Sequence, residues 1–403
     1  MKLAVMALAW VGTWATAPQP FMPGSLETYR NETLRLIVHV SEGGPKVRIR
    51  ISNVYGDKPL AIGGAHVARR MMGADVDARS DRKVTFQGLS TTRVPAHGAV
   101  VSDPVDLDVP VLSDLAVSLY VPQTAVATTS HLLALQTSYV AKGDATAAST
   151  FPAAKTIDTW PFLTGVDVVA EGRASIVAIG SSTTDGDGST RDGNHRWPDA
   201  LAARLNNKGR VNATGTNASG VMNLGIIGNR LLKDSPSSTP FGNGLGESTL
   251  GRFNRDVLEQ AGVKYVIVAI GVNDIIFPGT FTPSVEAVTS QNIIDGYRQL
   301  LARAHKKHIR IFITTIPPFE NAFYPDDKTL VVYTPEKEAV RKQVNEWIRS
   351  TRDFDAMIDF DAVLRDPSRP SRLLPKFDSG DHLHCNDAGY AAKANAVPLE
   401  LFR

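Results

Sequence analysis

Three short runs constrain this chain more than any other feature: residues 174–179, 265–270 and 310–315. Each is mostly apolar along its whole length instead of alternating, and each leads into turn residues such as Gly180, Gly271 and Pro317. A strand that reads apolar at successive positions is buried on both faces, as in a parallel sheet covered by helices. Helical patterns over 285–307, over 335–351 and from 386 to the C-terminus fit between and after these runs. Another helix is expected to start near Trp197-Pro198, with proline in its first turn. Alternating strands and helices predict an α/β domain with a parallel sheet, and such sheets carry their sites at the carboxyl ends of the strands.

The first third reads differently. Residues 34–40 and 46–51 alternate apolar and polar side chains, with Gly43-Gly44-Pro45 as turn chemistry between them. Further strands are expected at 83–86 and 115–121, and the pattern suggests a β-sandwich over 10–150. An Ala-, Thr-, Ser- and Gly-rich stretch at 141–155 marks a linker or surface crossing. The predicted division is therefore a β-sandwich domain at 10–150, a linker at 151–172 and a catalytic domain at 173–403. One lysine followed by a short apolar run at 1–9 resembles a secretory signal and predicts a secreted or periplasmic protein. The competing reading makes 10–14 the first strand of the mature fold.

Composition removes several classes of function. Forty-three Lys and Arg against 41 Asp and Glu leave a formal charge of +2 and no basic block, so no nucleic-acid partner is expected. The single cysteine, Cys385, excludes an intrachain disulfide and a cysteine-based zinc site. No apolar stretch is long enough for a membrane span.

Three segments fall where a site on such a sheet belongs. Gly180-Ser181-Ser182-Thr183 follows the first run and can expose a serine hydroxyl at the sheet edge; alone, it equally describes a helix cap. Gly271-Val272-Asn273-Asp274 follows the second run, where an Asn side chain could face a ligand or bond its own turn. Asp381-His382-Leu383-His384 lies near the C-terminus, and an Asp three residues before a His can orient the imidazole as a base. Asp381, His382, His384 and Cys385 could instead form a metal site. The loop 185–193 has the flavour of a calcium loop. It lacks that pattern, because Thr190 stands at the glycine position and Arg196 at the bidentate glutamate position, so it reads as a polar loop at the rim of the site.

In order and spacing these segments, with Asn223-Leu224-Gly225-Ile226-Ile227-Gly228-Asn229-Arg230, resemble the SGNH (GDSL-type) hydrolases from about Arg173 onward. They are most similar to secreted bacterial xylan-esterase-like lipases and acylhydrolases. The resemblance implies a flavodoxin-like three-layer α/β/α domain. It implies a serine esterase with Ser182, Asp381 and His384 as catalytic residues. Ser182, Gly228 and Asn273 would supply the oxyanion hole, and no cofactor or metal is called for. The implied substrate is a short-chain carboxylic ester, small or carbohydrate-borne, with O-acetyl groups on a sugar as one form. Two positions depart from the pattern: Ser181 replaces the usual Asp before the nucleophile, and Cys385 replaces the usual Pro after the histidine. Two rival readings are a metal-dependent deacetylase built on Asp381, His382 and His384, and a non-catalytic carbohydrate-binding protein with Ser181 as the sign of lost activity.

Overall fold

The structure, a computed structural model, describes residues 8–206 and 217–403. The signal-like segment at 1–9 lies, but for its last two residues, outside the described residues. From residue 10 the chain is already a strand, as the competing reading has it.

The strands of the two N-terminal sheets, in chain order, are β1 (Trp10–Ala15), β2 (Glu32–Val40), β3 (Gly44–Ser52), β4 (Gly64–Arg69), β5 (Arg82–Lys83), β6 (Ala99–Val101), β7 (Val105–Val109), β8 (Ser113–Val121), β9 (Ser138–Lys142), β10 (Lys155–Ile157) and β11 (Leu163–Val169). One antiparallel sheet runs β1-β11-β3-β7, with β6 also on β3; the other runs β10-β9-β2-β8-β4-β5. Alternation explains their packing. Val47, Ile49 and Ile51 of β3 point the same way and share one apolar cluster with Leu34, Leu36 and Val38 of β2 and Leu115, Val117 and Leu119 of β8. The intervening Lys46, Arg48 and Arg50 of β3 lie outside that cluster.

Two details differ from the sequence reading. The stretch 151–172, expected as a linker, contains β11, which is buried throughout and pairs with both β1 and β3. Val166 and Val168 give it an apolar face that must be covered, and the apolar cluster of the two sheets covers it. At 83–86, Lys83 pairs with His66 and Val84 N–H donates to Ala65 O at 2.8 Å, after which the chain leaves β4; Val84 and Phe86 fill the same core.

The third sheet is parallel: β12 (Ala174–Gly180), β13 (Ala218–Gly225), β14 (Val263–Ala269), β15 (Arg310–Thr314) and β16 (Ala356–Ile358), in the order β13-β12-β14-β15-β16. The helices used below are α1 (Ser182–Asp185), α2 (Trp197–Leu205), α3 (Thr249–Phe253), α4 (Val272–Ile276), α5 (Ser290–His305), α6 (Pro335–Ser350), α7 (Phe360–Leu364) and α8 (Asp387–Ala396). Successive residues of β12 serve opposite layers. Val177 and Ile179 pack with α5 and α6 through Tyr297, Leu300, Val344 and Ile348. Ile176 and Ala178 pack with α2 and α8 through Trp197, Leu201 and Tyr390. The helix expected from 285 starts later because Thr289 caps it, accepting the Asn292 N–H while the Asn292 side chain reaches back. Among the described residues no helix is long and apolar enough to cross a membrane.

The two regions are joined where β1, hydrogen-bonded to β11 on one edge, lies against β13. Gly12 N–H donates to Ala261 O at 2.9 Å, and Ser41 Oγ both accepts from Val221 N–H at 2.8 Å and lies 3.2 Å from Val221 O. This approach is possible only without side chains: a Cβ on Gly220 would lie 2.3 Å from Gly12 O. Gly220→Ala must therefore push β1 away from β13. The expected cost is about 1–3 kcal/mol of stability, read as a lower denaturation midpoint; an unchanged midpoint would show that the junction is loose.

Candidate active site

The carboxyl end of β12 delivers the serine. The chain turns from Gly180 straight into α1, whose first residue is Ser182, 4% exposed. From the C-terminal segment, the Asp381 carboxylate organises its own turn. Oδ1 accepts the N–H groups of Leu383 (3.0 Å) and His384 (2.8 Å) and the hydroxyl of Ser379 (3.1 Å). Oδ2 lies 2.5 Å from His384 Nδ1, and His384 Nε2 lies 2.8 Å from Ser182 Oγ. Ser182, His384 and Asp381, far apart in sequence, are thus in one hydrogen-bonded line.

The electrostatics follow from this geometry. Burial alone would raise the Asp381 carboxyl, but the hydrogen bond and charge of His384 and the two N–H groups hold it well below the usual carboxylate range. Burial opposes charge on His384, yet Asp381, together with Asp187, raises its imidazole above the ordinary 6.5. Asp187, in the polar rim loop, stands 3.7 Å from His384 Nε2.

Beside the serine turn runs the segment 226–232, whose Ile226 N–H donates to Gly180 O at 3.2 Å. Gly228 has φ +69°, and a Cβ there would strike Leu245 at 2.8 Å, so both conformation and space ask for glycine. No described residue accepts a hydrogen bond from the N–H of Gly228 or of Ser182. The Asn273 side chain, at the start of α4, donates one N–H to Asn229 O at 2.9 Å, which leaves its second N–H for another acceptor. Asn273 and Asp274 therefore reach across to this loop, while the Asp274 carboxylate also meets its own backbone N–H. The buried Asp274 carboxylate accepts Leu231 N–H (2.7 Å) and Leu232 N–H (2.9 Å), and burial pushes its pKa up to about 6.

The residues read as possible metal donors do not converge. His382, with φ +63°, turns its Nδ1 to Asp378 at 2.5 Å, away from the His384–Asp381 pair. The Cys385 side chain enters the core under α8, where burial pushes its thiol up to about 11. Among the described residues no cluster of three His, Cys, Asp or Glu is placed to hold a metal ion.

Several supporting residues are brought to the site from distant parts of the chain. Asp185 Oδ2 accepts Ile227 N–H at 2.9 Å, next to Gly228, while Oδ1 pairs at 2.9 Å with His131 of the β-rich region. His131 is itself held by its Nδ1–H, 2.9 Å from Ala17 O, and stacks on Trp160. Arg252 of α3, fully buried, donates to Gly180 O (3.0 Å), Leu224 O (2.8 Å) and Asn229 Oδ1 (3.1 Å), tying two strand ends to the loop.

The sequence pattern of the family described as GDSL-like lipase/acylhydrolase matches residues 176–397, more than half of the chain. The chain belongs to that family. It is accordingly a carboxylic ester hydrolase. Solved structures similar to this GDSL-family chain include the aryl esterase of M. smegmatis, at 17% identity over 55% of this chain and 95% of that one, with a TM-score of 0.39. Another is a carbohydrate acetylesterase from Sinorhizobium meliloti, at 16% identity over 56% and 96%, with a TM-score of 0.40. A third is a GDSL-like lipase from Bacteroides thetaiotaomicron, at 14% identity over 56% and 86%, with a TM-score of 0.37. No curated protein matches the chain.

The position of Asp187 has a consequence for pH dependence. A base must be neutral to accept a proton, so with His384 in that role activity is expected to fall as pH drops through its raised pKa. The acid limb of kcat/KM should lie above the ordinary histidine value of 6.5. In Asp187→Asn the limb should move down by about one pH unit or less, because a nearby negative charge is removed. An unmoved limb would show that Asp187 does not act on His384.

Proposed function

We propose that this GDSL-family hydrolase is a serine esterase that cleaves short-chain carboxylic esters, O-acetyl groups on carbohydrate among them, through an acyl-enzyme. One observation carries the reading: His384 places one ring nitrogen 2.8 Å from Ser182 Oγ and the other 2.5 Å from Asp381. His384 takes the Ser182 proton as Oγ attacks the ester carbonyl. Asp381 holds the ring's orientation and stabilises the imidazolium that forms. The carbonyl oxygen, now an oxyanion, accepts from the Ser182 and Gly228 N–H groups and the spare N–H of Asn273. Collapse of the tetrahedral species breaks the bond to the alcohol oxygen, which leaves with the proton from His384. Water then adds to the acyl group, giving its proton to His384, and the second collapse returns it to Ser182 Oγ with release of the acid. The reaction is complete without a cofactor.

The N-terminal region we read as a β-sandwich, since its two antiparallel sheets share one apolar core. We include 163–169 in it and begin the catalytic domain near residue 173.

Hydrolysis of p-nitrophenyl acetate tests the proposal. Ser182→Ala should lose essentially all turnover while keeping its melting temperature, and wild type should keep its rate after dialysis against EDTA. Near-wild-type turnover in Ser182→Ala would remove Ser182 as nucleophile, and zinc-restorable loss on chelation would favour a metal mechanism.

Asn273→Ala separates catalysis from scaffolding. Charge on the carbonyl oxygen grows toward the transition state, so kcat should fall by roughly 100-fold or more with little change in KM. A lower melting temperature with unchanged kcat would confine Asn273 to holding Asn229 O.

A further inference from the structure

Behind the serine the molecule buries an ammonium group. Lys393 of α8 is completely shielded from solvent. Its Nζ donates to Thr183 O at 3.1 Å. The rings of Phe360, Tyr390 and Trp197 surround it, with centroids at 4.9, 5.6 and 5.9 Å. Among the described residues no carboxylate pairs with it, and the one group drawing it toward the charged form is the Cys385 thiol. Burial accordingly lowers the Lys393 pKa to about 8. A buried cation with one carbonyl acceptor is an expensive arrangement unless a counter-charge accompanies it.

A second group at the same place lacks a partner. Ser181 is 1% exposed, and its hydroxyl makes no hydrogen bond to any described residue. Ser181 and Lys393 line one cavity of about 20 Å³, walled by Thr183, Ile270, Thr315 and Phe360. That volume has room for about one small sphere. A hydroxyl donor, spare ammonium donors and largely apolar walls repel a cation. Water would meet the donors but leave the charge unbalanced.

We propose that Ser181 and Lys393 form a buried halide site, with chloride accepting hydrogen bonds from Ser181 Oγ and Lys393 Nζ. The ion supplies from solution the negative charge that no side chain provides there. The ion adjoins the Ser182 turn, and Lys393 acts electrostatically on His384, but its binding does not require Ser182 to be the nucleophile.

The test uses the full chain at constant ionic strength, exchanging gluconate for chloride or bromide. The wild type should show a saturable rise in melting temperature of a few degrees, as expected of a ligand bound only by the folded state. Lys393→Met should not show it. Nor should Ser181→Asp, which puts a fixed carboxylate beside the ammonium. Should a substitution prevent folding, bromide diffraction from unsubstituted crystals decides: an anomalous peak is expected between Ser181 Oγ and Lys393 Nζ. No halide-specific shift in wild type, the same shift in both variants, or no peak in that cavity would overturn the proposal.

Discussion

The site depends first on how the Asp381 carboxylate spends its two oxygens. One is committed to the backbone of its own turn through Leu383 and His384 N–H; the other holds the His384 ring. A carboxylate accepting several donors stays ionised and resists rotation, so the imidazole it holds has one orientation available. That orientation aims Nε2 at Ser182, which arrives independently at the end of β12. Two segments about two hundred residues apart thus meet with little freedom at the point of contact.

The other side of the site is fixed by buried polar groups. Asp274, Asp185 and Arg252 each bond backbone groups of the strand ends or the 226–232 loop, Asp185 with a further bond to His131 and Arg252 with further bonds to the Asn229 and Asp256 side chains. Such groups are costly to bury unless every bond is made, which makes the loop they hold hard to displace. Through His131 the β-rich region takes part in this arrangement, since its imidazole pairs with the carboxylate that holds Ile227 N–H. The close seating of β1 on β13 keeps that contact in register. The N-terminal region is therefore mechanically connected to the site although it contributes none of the three residues in the Ser182–His384–Asp381 line.

Much of this was legible in the sequence because the informative residues are local. The strands at 174–179, 265–270 and 310–315 announce themselves by apolar runs, and the helix over 335–350 by its period and its proline start. Strand β13 was not legible: Ala-Ser-Gly-Val-Met-Asn-Leu-Gly has no strand signature, and its burial comes from β1 and β12 packing around it. Strand β11 is ordinary in length and polarity, and only its pairing with β1 and β3 distinguishes it from a linker. In the site, Ser182, Gly228, Asn273, Asp381 and His384 stand in short segments with recognisable order. His131, Arg252 and Lys393 are single residues whose surroundings come from distant parts of the chain, so no local pattern points to them, and the polar rim loop 185–193 marks Asp187 only as a member of that loop.

The proposed chemistry requires Ser182 Oγ to be the attacking atom, and covalent capture tests that most directly. Treatment of the full chain with a fluorophosphonate, followed by intact mass and peptide mapping, should give one adduct on the peptide containing Ser182. Labelling should slow below the His384 pKa, where the base is protonated and the hydroxyl is no longer activated. An adduct on another residue, or none while the enzyme still hydrolyses esters, would contradict the account.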